Sequence, residues 1–372
     1  MKNPLFKPGC FFIGLLLTAL VCAAQPVEEK HIGAALIHSL YVDPDGNVWV
    51  WGGSSLSGVD NESVPHLVMK DGKSVYAPPS DSLSYVIKQD GSLWGWGRTN
   101  YGQMGVIRSE SRTTSEFIVN PRKIMDQVKS VSGNGTIFAV KPDNSLWGWG
   151  EAGPQRGDTV KENLPHPRKV MKDIILVSTT AFHTVVKKTD GTLWAWGNNQ
   201  CGALGTGDRK DHVHPVKVDM KPLGKRKIVQ IDTRWGETYL LADDGTVWYS
   251  GEYNIHQDEC LDPPHLVPTK LDTIDNVKAI ALGQFHELFL KKDGSVWASG
   301  YAEGASSSLW TVPKGPGKVM DGVAEIAAGQ FHSIALKKDG TVWTWGVNEH
   351  GQLGDGTNQT TTTPVQVHFP TP

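Results

Sequence analysis

Four histidines, His38, His183, His286 and His332, each stand seven residues ahead of an aspartate that opens the octet Asp-Gly-x-Leu/Val-Trp-x-Trp-Gly or a close variant of it. Imidazoles at equivalent places in a repeated unit are a pattern from which a metal site can be built. The equivalent places in the other units hold Leu83, Thr136 and Glu237, so the four histidines are not all neighbours. The better reading is structural, a histidine that hydrogen-bonds backbone at a turn, with no metal. The seven octet aspartates begin at Asp45, Asp90, Asp143, Asp190, Asp244, Asp293 and Asp339. All but Asp143 are followed by Gly, which makes them hairpin tips rather than general acids. The chain has no nucleophile elbow and no phosphate-cradling Gly-Lys-Ser/Thr loop, and no paired carboxylates are evident outside the octets. No catalytic residue, metal or cofactor is therefore expected. Two cysteines, Cys201 and Cys260, lie in equivalent stretches of consecutive units. They form either a bridge between neighbouring loops or two free thiols.

Those residues need a scaffold, and the spacing of the octets supplies it. Successive octets are 45, 53, 47, 54, 49 and 46 residues apart, a mean period of 49. A fixed period of this size marks a repeat architecture. In the last unit Val323 to Ala328 reads as a first strand and Ser333 to Lys337 as a second. Asp339-Gly340 is the hairpin, and Val342 to Trp345 is the third strand. A polar Gly-rich loop then leads to a short fourth strand opening at Pro364, where a missing N–H suits an outer edge. Four short antiparallel strands repeated seven times predict an all-β, seven-bladed β-propeller over 25–372, each blade from contiguous chain, closed by packing of blade seven on blade one. Twelve of the 14 Trp lie in the octets, where broad aromatic plates can fill the wedge between blades.

The unit from Ala328 to Gly346, with Ala-Gly-x-x-His-Ser ahead of Asp-Gly-x-Val-Trp-x-Trp-Gly, and the Asn-x-x-Gly-Gln-Leu-Gly loop from Asn348 to Gly354, resemble the regulator-of-chromosome-condensation repeat family. Looser copies of the loop start at Asn100 and Asn199. The resemblance covers essentially the whole repeat region. It implies a propeller, while leaving function open, because members of the family exchange nucleotide on a GTPase, sense ultraviolet light, or inhibit β-lactamases. The photoreceptor's Gly-Trp-Arg-His-Thr motif has one scrambled relative here, Arg234-Trp235-Gly236-Glu237-Thr238, so a tryptophan cluster for light sensing is missing.

Residues 1–24 read as a secretory signal. Lys2 and Lys7 precede an apolar run from Phe11 to Val21, too short to span a bilayer, and small residues end at Ala24 before Gln25-Pro26. A lipoprotein anchor at Cys22 and an uncleaved anchor are weaker alternatives, and no later run approaches membrane length. The expected location is secreted or periplasmic. With 41 Gly, 22 Pro and 14 Trp in 372 residues and 20% charged residues, the chain is neither disordered, coiled-coil nor collagenous. Its formal charge of −3 gives no global attraction to nucleic acid. The segment 217–227 holds five basic residues and one acid and reads as a solvated connector.

In a four-stranded blade the one-to-two turns and three-to-four loops share one face, and the Asp-Gly hairpins occupy the other. The three-to-four loops vary most, and variable loops on a rigid scaffold are where binding resides. Trp235, in a one-to-two turn, and Trp310, at the end of a three-to-four loop, are the two Trp outside the octets. With Tyr101, Phe182 and Tyr253 they form the candidate binding set, since exposed aromatics are enriched at hot spots. The expected function is non-catalytic binding of a macromolecule, a protein first and a carbohydrate or cell-wall ligand second, with no nucleic acid. The contrasting readings are exchange on a GTPase after delivery to a host cell, and an enzymatic propeller.

Overall fold

The computed structural model describes residues 29–53, 63–79, 81–106, 117–158, 161–254, 259–260, 265–300 and 316–371. Seven four-stranded antiparallel sheets follow one another as blades over 32–69, 72–125, 130–171, 174–217, 228–270, 277–320 and 323–366. Within each sheet the strands run in chain order, so the expected contiguous blade is what forms. Two short 3-10 turns, Pro154–Arg156 and Lys221–Leu223, and a two-stranded ladder pairing Tyr253 with Cys260 complete the described elements. The first strands of all seven blades line a central channel of 2570 Å³.

The octet shapes each blade at two levels. At the hairpin, the Asp side chain accepts from the backbone N–H and the hydroxyl of the Ser or Thr two residues on. That hydroxyl in turn accepts the indole N–H of the first Trp. The relay runs Asp90–Ser92–Trp94 at 2.6 and 2.8 Å, and recurs as Asp143–Ser145–Trp147, Asp190–Thr192–Trp194, Asp244–Thr246–Trp248, Asp293–Ser295–Trp297 and Asp339–Thr341–Trp343. Blade one substitutes Asp43, which takes both the Asn47 amide and the Trp49 indole directly. These aspartates stay ionised because the bonds they accept hold their pKa values below the usual carboxylate range.

The second Trp of the octet is the wedge between blades. Trp51, Trp96, Trp149, Trp196 and Trp345 are fully buried, whereas Trp94, Trp147, Trp194, Trp297 and Trp343 are half-buried. Three of the five wedge indoles bond back to the loop of the preceding blade. Trp149 donates to the Gln103 carbonyl at 2.8 Å, Trp196 to Gln155 at 2.8 Å and Trp51 to Gln352 at 2.9 Å. That last bond closes the ring from blade seven to blade one, as expected. Phe369, beyond the last strand, packs on Tyr41, Trp49 and Trp51. Glu325 accepts the backbone N–H of His31 at 2.8 Å across the same junction. The wedge positions of blades five and six are Ser250 and Ser299. Ser250 keeps the backward bond, donating to the Ala203 carbonyl at 3.1 Å, but without the plate.

Candidate functional site

The four histidines are wholly buried and each reaches into the next blade. His38 Nε2 lies 2.8 Å from Ser84 Oγ, His183 Nε2 2.9 Å from Thr238 Oγ1, His286 Nε2 2.8 Å from Ser333 Oγ, and His332 Nε2 2.8 Å from Ser39 Oγ. Each partner hydroxyl sits one residue past the histidine position of the following blade. In place of the expected bond to backbone at a turn, the imidazole Nε2 meets a side-chain hydroxyl of the neighbouring blade. The histidine is an inter-blade clasp, a contact no single repeat displays. Burial pushes the imidazoles down, to about 3 for His38 and His332 and about 4 for His183 and His286, so all four are neutral clasps at physiological pH. Among the described residues no group of three or more His, Cys, Asp or Glu is arranged to hold a metal ion.

The face carrying the one-to-two turns gathers aromatic rings around the channel mouth. Phe182, 44% exposed, stacks on Trp235 of the next blade with ring centroids 5.8 Å apart. Phe285 and Phe331, at the same turn position as Phe182, stack at 4.5 Å and are nearly parallel. Trp235 holds a φ of +33°, a conformation that costs a non-glycine residue energy and is retained where the surroundings impose it. Beneath it lies an ion cluster. Arg234 donates to Glu237 Oε2 at 2.7 Å and to Glu287 of the next blade, and Glu287 also accepts Ser299 Oγ at 2.6 Å. Burial alone would raise Glu287. The Arg234 guanidinium and the Ser299 hydroxyl bond together outweigh it and hold that carboxyl below its usual range. Here Glu237 and Glu287 stand where other junctions have the histidine and its hydroxyl partner.

A second carboxylate pair lies at the junction of blades two and three. Burial raises Asp81, and burial followed by the Asp81 charge raises Glu151, with Arg98 3.9 Å from Asp81. The sequence showed no carboxylate pairs outside the octets, because both pairs are assembled from residues more than forty apart in adjacent blades. The Arg98 and Arg234 partners mark them as structural ion clusters.

The remaining candidates divide. Cys201 and Cys260 are joined by a disulfide, with Cα atoms 5.0 Å apart, tying the three-to-four loops of blades four and five. Tyr253 pairs with Cys260, so its backbone is held in the disulfide-bonded loop, at the junction that Phe182 and Trp235 span. Tyr101 sits half-buried in the loop of blade two, away from that junction. Trp310 lies outside the described residues. The Asn-x-x-Gly-x-Leu-Gly loops are built by a buried Asn. Asn348 Oδ1 accepts Leu353 N–H while its amide reaches Asp355 and Thr357, and Asn199 does the same toward Leu204 and Asp208. Their glycines serve packing. A side-chain carbon on Gly354 would come within 2.7 Å of Trp51.

Comparison with known proteins matches two models of the regulator of chromosome condensation (RCC1) repeat. One covers residues 174–203 and 323–352 and the other 190–233 and 339–372. The Ultraviolet-B receptor UVR8 of Arabidopsis thaliana is 26% identical over 74% of this chain and 53% of its own length, so the chain spans about half of that relative. Protein RCC1 of Candida albicans is 25% identical over 74% of each chain. The crystal structure of Prp20p from Saccharomyces cerevisiae, described with its binding to Gsp1p and histones, superposes with a TM-score of 0.67 at 18% identity, covering 82% of this chain and 81% of that one. That last likeness speaks for the fold.

Proposed function

We propose that this chain, a propeller of regulator-of-chromosome-condensation repeats, is a non-catalytic binder that engages a protein through its one-to-two turn and three-to-four loop face. The observation that carries the reading is the stacked Phe182–Trp235 pair, with Phe182 open to solvent and Trp235 held at positive φ on the rim of the channel. Rigid, pre-stacked rings bury large area at small entropic cost, which is what a hot spot needs. The test is capture by the immobilised full chain, comparing Phe182→Ser and Trp235→Ala with Lys338→Ala on the opposite face. Loss of the same partner from both rim variants, at about thirtyfold or more in affinity, supports the reading. Equal capture by all three variants overturns it.

The proposal includes export, with 1–24 as the signal. The Cys201–Cys260 disulfide favours it, since such bridges persist in oxidising compartments. Sequencing the N-terminus of the protein recovered outside the cytoplasm should begin at Gln25, and recovery of an intact Met1 from the cytoplasm alone refutes export. A second reading, regulation of a GTPase, is favoured by the likeness to Protein RCC1 of Candida albicans. Accelerated nucleotide release from a candidate GTPase by the wild-type chain would favour it.

A further inference from the structure

The hairpin face has a feature that the binding reading leaves unused. On the hairpin side of blade four, six lysines, Lys187, Lys188, Lys217, Lys221, Lys225 and Lys227, stand at the ends of the second and fourth strands and along the connector to blade five, and none makes an ion pair among the described residues. Lys188 and Lys217 both lie against Trp194, at 4.8 and 5.5 Å from its ring centroid. Lys187 donates to the Ile228 carbonyl at 2.7 Å and lines the channel mouth beside Lys227. The neighbouring carboxylates, Asp190 bonded to Thr192, Asp219 to the Lys221 N–H, Asp243 to the Lys227 N–H, and Asp244 to Arg226 and Thr246, keep their charge and offset part of the patch, but with Arg226 seven cations face these four anions. Lys187 titrates below the usual lysine range, through burial first and then the Lys227 charge, with Asp243 acting the other way.

We propose that this stripe binds a linear phosphate polymer without bases. Its geometry selects among anions. The ammoniums run from the outer strand of blade four along the connector to the channel mouth, a track for a chain rather than a pocket for one ion. Trp194 is bracketed by two lysines and its indole is bonded to Thr192, so it offers no free plate for a base, and nucleic acid would lose the stacking that supports single-strand binding.

The experiment titrates the full chain with inorganic polyphosphate at several salt concentrations. The expected result is saturable binding whose logarithm falls linearly with the logarithm of salt, as multiple released counterions require. Lys221→Glu with Lys225→Glu should weaken it at least tenfold, and Lys337→Glu with Lys338→Glu on blade seven should leave it within twofold. Unchanged far-ultraviolet circular dichroism establishes that each variant is folded. Absence of binding at low salt, equal effects of the two double variants, or tighter binding of single-stranded DNA or of anionic vesicles than of polyphosphate overturns the proposal.

Discussion

The junction between blades seven and one and the junction between blades four and five solve the same packing problem with different materials. At the first, a buried Trp51 fills the wedge, Phe369 packs over it, and His332–Ser39 and Glu325–His31 bond across. At the second the wedge position is Ser250. The junction is held by the disulfide, the Phe182–Trp235 stack, His183–Thr238 and a Ser178–Thr233 bond of 2.8 Å. The plate is given up at two junctions with different substitutes: a covalent link between the loops at four–five, and the Arg234–Glu287–Ser299 bonds at five–six.

Acid should separate the two most. The clasp histidines titrate near 6.5 when unfolded and near 3 to 4 when folded, so the unfolded state binds more protons as pH falls below 6.5. Stability is full above that value and declines toward pH 4, by about 2 kcal/mol per histidine at pH 5. Three of the four clasps sit at junctions six–seven, seven–one and one–two. Hydrogen exchange at pH 5 should therefore show protection lost first in blades one, two and seven. Uniform loss around the ring would erase the contrast.

Trp51→Ala should cost about 3–5 kcal/mol in chemical denaturation, the range for removing a large buried aromatic. Replacing both cysteines with serine should cost about 4 kcal/mol for a 59-residue separation, and reductant should then have no further effect. A smaller cysteine effect than Trp51→Ala would mean that the bonds around Ser250 already carry junction four–five. Ser39→Ala leaves the His332 imidazole unpaired and should cost about 1–3 kcal/mol, as should Thr238→Ala for His183. A smaller loss for Thr238→Ala in the oxidised protein than in the reduced one would show the disulfide buffering its own junction.

Much of the fold was legible because every blade is one contiguous repeat. The Asp-Gly tips and the octet period each encode local geometry, whereas the fourth strands of several blades begin before the expected proline: Pro364 lies inside Thr361–Gln366 and Pro215 inside His212–Lys217, on an outer edge where a missing N–H is tolerated. The relay of Asp, hydroxyl and indole was also within reach, since Ser or Thr occupies the third octet position in six of seven units, with Asn47 as the exception. What could not be read were contacts between units. The His332–Ser39 clasp joins residues 293 apart, and the Arg234–Glu287 bond joins residues 53 apart. Their pairing depends on how far one blade is offset from the next, which a repeat pattern leaves unspecified. The candidate site divides the same way: Trp235 stood out by type, but its stacking on Phe182 belongs to two blades.

The octet tryptophans also make the molecule its own optical gauge. The five wedge indoles are sealed from water, while Trp94, Trp147, Trp194, Trp297 and Trp343 are half-buried beside lysines, as Trp343 is with Lys337 4.2 Å from its centroid. Their emission should differ in colour and in access to a charged quencher, iodide being drawn to the lysine-covered set. Opening one junction would move a single indole from the sealed population to the other. A quenching curve could thus report that one of the five tryptophan-filled seams has parted, without any label attached.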